Sequence, residues 1–154
     1  ARQQITNAPG AQRYATVTED WVAWVDPRED PLRDPYSLCH TDIYGYDRRS
    51  GTEHALVSEG DGMHGPTVDG EGPWLAYSDQ RSDPYPECDS DQEQSVVALH
   101  LPTMTEVRIT DWPGFEAEPR VYDRRDGTYG VLFIEEIDYV DAIYRLWDCD
   151  LPEP

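Results

Sequence analysis

Apolar residues in this chain come in short runs bounded by Asp, Gly, Pro or Ser, and none keeps the 3.6-residue period of a helix. Such runs predict strands joined by tight turns. They also recur. Trp21–Asp26, Trp74–Asp79 and Val131–Glu135 each end an apolar strand on an acid, at offsets of 53 and 56 residues. Before each lies a shorter strand (Tyr14–Val17, Pro66–Val68, Pro119–Tyr122) and an acidic turn, glycine-bearing in the second and third units, as hairpins need. After each lies an irregular acidic stretch and a third strand: Asp42–Tyr46, Ser95–Leu99 and Ala142–Leu146. Glu53–Val57 and Thr105–Ile109 supply a fourth strand to two of the units.

Four antiparallel strands recurring every ~40–55 residues predict the blades of an all-β propeller. A β-sandwich also has short strands, but it does not require turns that return in register. Gln3–Thr6 mirrors Val107–Thr110, so the chain is expected to open on a fourth strand. The expected organisation is a single propeller segment: a strand over 1–6 from a shared blade, blades over 14–57 and 66–110, and three strands of a third blade over 119–149. Three blades cannot close a ring, because propellers have about 4–8. Either a second copy or a further stretch of polypeptide must therefore complete it. The start at Ala1 rather than Met and the unpaired Cys149 favour the further stretch.

Composition changes the picture in two ways. Leu, Ile, Val and Phe make up only 18% of the residues, and 32 acids face 12 cations, all arginine, for a net charge of −20. Those values approach the composition of disordered chains. Seventeen aromatic residues offset this, because each ring buries ~150–250 Å². Trp21, Trp24, Tyr44, Trp74, Tyr77, Phe133 and Tyr144 are the expected inter-blade core. The acidity argues against nucleic acid as a partner, and no run approaches the ~18 apolar residues of a membrane span. Without lysine there is no Schiff-base or phosphate-loop chemistry, and no G-x-S-x-G, H-E-x-x-H or C-x-x-C string occurs.

The run Trp24-Val25-Asp26-Pro27-Arg28, followed by Thr41-Asp42-Ile43-Tyr44-Gly45-Tyr46-Asp47 and Ser50-Gly51, resembles the TolB-like six-bladed propeller repeat. The second unit keeps Ser78-Asp79-Gln80-Arg81, and the third keeps Ile143-Tyr144 but has Glu135-Glu136 in place of Asp-x-Arg. The resemblance implies a six-bladed, extracytoplasmic or cell-envelope protein, periplasmic, surface-exposed or secreted, that binds other proteins as a scaffold without catalysis. Related propellers gate peptidases of the prolyl oligopeptidase type, a role that would need a hydrolase domain.

Connections from second to third and from fourth to first strands share one face, and here they carry 19 of the 32 acids with four arginines. That face is the expected docking surface for a basic protein partner or a cation. Asp26, Asp79 and Glu135 occupy one repeat position and are expected at the channel mouth, where hard oxygens suit Ca²⁺. The alternative is that each carboxylate accepts backbone or arginine hydrogen bonds. The two long loops both carry Asp-Pro-Tyr and a cysteine, so a Cys39–Cys88 disulfide is expected, which places the protein in an oxidising compartment. Tyr36, Tyr85, Trp112 and Phe115 are the expected exposed rings, suited to a peptide or, in a carbohydrate-binding propeller, to sugar.

Overall fold

The computed structural model describes residues 3–28, 41–58, 64–79, 94–111, 115–138 and 143–152. They form eleven strands: β1 (Arg13–Val17), β2 (Trp21–Asp26), β3 (Asp42–Asp47), β4 (Thr52–Val57), β5 (His64–Glu71), β6 (Trp74–Asp79), β7 (Ser95–His100), β8 (Thr105–Arg108), β9 (Phe115–Asp123), β10 (Tyr129–Asp138) and β11 (Ile143–Asp150). These make antiparallel sheets β1–β2–β3–β4, β5–β6–β7–β8 and β9–β10–β11, each a simple up-and-down meander. The expected succession of blades is thus observed.

Two apolar layers join the three blades. Ala23, Val25, Ile43 and Val57 of the first blade pack on Leu75, Tyr77, Val97 and Leu99 of the second. Trp74, Ala76, Val96 and Ala98, which alternate with that second set along β6 and β7, pack on Val121, Val131 and Phe133 of the third. The middle blade is covered on both sides, so every residue of β6 and β7 is buried. A strand buried on both faces loses the polar-apolar alternation of a half-solvated one. The outer strands β4 and β8 stay largely exposed. Burying each Tyr, Leu or Val of these layers contributes roughly 1.5–3 kcal/mol.

The first strands hold the blades together. β5 lies against both β1 and β9. Asp69 on β5 accepts a hydrogen bond from Thr16 Oγ1 on β1 (3.3 Å) and another from the Val121 amide on β9 (3.0 Å). One carboxylate therefore ties the middle blade to both neighbours. Each first strand also bulges, with the register slipping within Arg13–Thr16, His64–Val68 and Ala117–Arg120. Tyr14 and Glu118 take the left-handed conformation there, at φ 51°. A bulge sharpens local twist and bends the strand, and its recurrence makes it a property of the repeat.

Three expectations need correction. Residues 3–12 form no strand, although Gln3–Thr6 resembles Val107–Thr110 at the end of β8. A fourth strand needs a third strand of its own blade beside it; Gln3 instead donates to the Tyr46 hydroxyl on β3 (3.2 Å), whose blade already has four strands. Phe115 is not an exposed loop residue: it opens β9, pairs with Glu136 and is partly buried. Tyr144 is not core. It is 54% exposed, because β11 runs further than expected and Trp147 stands opposite Phe133, as Tyr44 stands opposite Trp24 in the first blade. The apparent match of Ile143-Tyr144 to Ile43-Tyr44 is therefore three residues out of register. An odd slip turns every side chain to the opposite face of the sheet.

Candidate interaction surfaces

Asp26 ends β2, wholly buried, and accepts hydrogen bonds from the Trp24 indole Nε1–H (2.9 Å), the Arg28 amide (3.0 Å) and the Arg28 guanidinium. Arg28 also pairs with Glu53 and lies 3.7 Å from the centre of the Tyr44 ring. Burial alone would lower the Arg28 pKa, but its bonds to Asp26 and Glu53 outweigh this and raise it. Glu135 repeats the device in the third blade. It accepts from Trp147 Nε1–H (2.8 Å) and Arg145 Nη1 (3.4 Å), and that guanidinium lies 5.4 Å from the centre of the Trp147 ring. Asp79 holds the same position in the middle blade and is 1% exposed.

Alternation along each second strand turns all three carboxylates toward the preceding side of the blade, with Leu75, Tyr77 and Asp79 sharing one face of β6. They stand one per blade. Among the described residues no group of three His, Cys, Asp or Glu side chains is placed to hold a metal ion. Chemically, Asp26 and Glu135 neutralise an arginine and satisfy an indole at a blade surface, which a buried carboxylate requires. The Asp-x-Arg string signalled the first cluster. The second has its arginine on the neighbouring strand, so no local motif announced it. Tyr36, Cys39, Tyr85, Cys88 and Trp112 lie outside the described residues.

The far side of the third blade is open. Pairing sets Ile134 opposite Leu146, on the face away from Val131 and Phe133. Leu146 is 67% exposed and Tyr144 54%. At one end of this patch Tyr122 donates its hydroxyl to Asp148 (2.6 Å), and Arg124 bridges Asp148 and Asp150. The bond to Asp148 is the main cause raising the Tyr122 pKa. Cys149, a free thiol on β11, is partly buried; burial, then Asp148 and Asp150, push its pKa up. The outer edge of β11 pairs with no strand among the described residues. At the other end of the arc, Tyr14 and Val17 of β1 are exposed as well.

Bladed sheets of this meander type, joined through their first strands and ending in an uncovered apolar face, define a partial β-propeller. The chain is similar in fold to the putative TolB from Agrobacterium tumefaciens, with a TM-score of 0.60 and 15% identity, the match covering 95% of this chain and 52% of that one. It is similar also to TolB from Acinetobacter baumannii, with a TM-score of 0.50 and 12% identity over 92% of this chain and 33% of that one. The chain thus spans about half the length of the first of these structures. No family model matches the sequence, and no curated protein matches it.

Proposed function

We propose that this chain is a non-catalytic protein-interaction scaffold working outside the cytoplasm, and that its open ends join another polypeptide chain or a second copy to complete a propeller ring. The observation that carries this reading is the third blade, which among the described residues has three strands where its neighbours have four and leaves Leu146 and Tyr144 bare on its far face. An apolar face of this kind marks an interaction site on a folded domain, and an unpaired strand edge is a template for a further strand. The extracytoplasmic placement rests on the likeness to TolB structures.

The test is light scattering on the chain across a concentration series. Association above the 17.6 kDa monomer, abolished by Leu146→Asp, supports the reading. A monomer at every concentration, with Leu146→Asp without effect, overturns it. Leu146 is exposed, so the substitution should leave folding within ~0.5 kcal/mol of the parent.

A further inference from the structure

The second strands β2, β6 and β10 end at one rim of the blades; the short hairpin turns leave the other. On the hairpin rim a groove of about 580 Å³ crosses from the first blade to the second, a size within the range of ligand sites. Its two walls differ in chemistry. The first-blade wall carries Glu19, Asp20 and Asp47, and the second-blade wall carries Pro73, Leu101, Pro102 and Met104. Trp21, Arg49, Gly72 and Tyr129 complete the lining.

The acidic wall is held in place by its own turns. Arg48 donates to the Glu19 carbonyl (2.8 Å), and the Arg49 amide donates to Asp47 Oδ1 (2.7 Å). Hydrogen bonds from the Arg49 amide and the Ser50 hydroxyl lower the Asp47 pKa. Among the described residues the one cation lining the groove, Arg49, pairs with Asp20 through a side chain that is 74% exposed. Such exposed pairs are worth little and exchange readily. The apolar wall also has an unusual member. Met104 sits at φ 52° in the left-handed region that the first-blade hairpin fills with Gly51 at φ 74°. A methionine kept in a glycine conformation, with half its surface bare, presents a soft and adaptable contact. On the same side Gly72, at φ 56°, leaves room for the Tyr129 hydroxyl, which any Cβ would displace.

We propose that this groove binds an extended peptide segment of a partner protein in which an arginine or lysine adjoins an aliphatic side chain. The cation lies against Glu19 and Asp20, displacing Arg49, and the aliphatic group lies against Met104 and Pro102. Charge selects this occupant: with a net charge of −20 the chain attracts cationic segments and repels acidic ones.

The experiment uses Leu146→Asp protein, so that the open end face takes no part, and titrates a hexapeptide of alternating arginine and leucine while following backbone NMR shifts. Shifts confined to the hairpin turns around Asp20, Asp47 and Met104 are expected, with no response to the matching glutamate–leucine peptide. The double change Glu19→Gln with Asp20→Asn should weaken binding about tenfold. Met104→Gly should weaken it several-fold without loss of stability, since glycine suits that backbone. Shifts on the opposite rim instead, equal binding of the glutamate peptide, or affinity unchanged in both variants would overturn the proposal.

Discussion

Two carboxylate clusters occupy the same repeat position at different depths in the arc. In the first blade Asp26, Trp24 and Arg28 close on themselves: the carboxylate is fully buried, and the guanidinium caps Tyr44. In the third blade the Glu135 side chain is 19% exposed and the Arg145 side chain 54%. The chemistry is the same, an indole and a guanidinium on one carboxylate, but the strands that supply them differ. Trp24 and Arg28 flank their acid in sequence, whereas Trp147 and Arg145 reach Glu135 from the next strand. The difference teaches that the repeat preserves a spatial arrangement rather than a string. A local turn holds the first cluster shut, while the second depends on the pairing of β10 with β11.

Removing the acid in each blade is the sharpest way to break this comparison. Asp26→Ala leaves a buried indole N–H and an arginine without their partner and should cost about 3 kcal/mol in urea unfolding. Glu135→Ala should cost about 1 kcal/mol, because water reaches the groups it leaves behind. Equal losses would show that the depth of the two clusters has no energetic meaning. Between these falls Asp69→Ala, expected to cost about 2 kcal/mol, since it frees the bonds to Thr16 and Val121 on both sides of the middle blade.

The smallest effects follow pH, and they also separate the two ends. Asp47 in the first blade and Asp126 in the third have pKa values lowered, by the Arg49 amide and the Thr128 hydroxyl respectively. A lowered folded-state value means that each turn is fully stabilised above the ordinary 3.8 and loses that contribution as pH falls through the folded value. Tyr122 shifts upward, so its bond to Asp148 stabilises fully below 10.0 and is lost as pH rises beyond it. NMR of the turn amides should therefore show both ends loosening in acid, and only the third blade loosening in alkali. Loosening of the first blade in alkali as well would contradict this assignment.

Much of the architecture was legible because turns and strands are local. Asp126-Gly127 marks a hairpin turn, and runs such as Trp21–Asp26 mark strands whatever surrounds them. The departures have a single cause. Neighbours in sequence point Tyr144 inward and Phe115 outward, yet burial depends on which face of the pleat another sheet covers. The groove on the hairpin rim is invisible in the sequence for the same reason. Its acids come from the first blade and its apolar wall from the second, so no segment carries both halves of the pattern.

By itself the sequence determined the strands, their order and four buried rings (Trp24, Trp74, Tyr77 and Phe133), since each is written in periods of two residues and in recurring turns. Only the tertiary structure decided which carboxylates are satisfied inside, which aliphatic residues are left bare at the open end and where an acidic wall meets an apolar one. Those outcomes depend on side chains brought together from separate strands, and register and sheet packing, not proximity along the chain, bring them together.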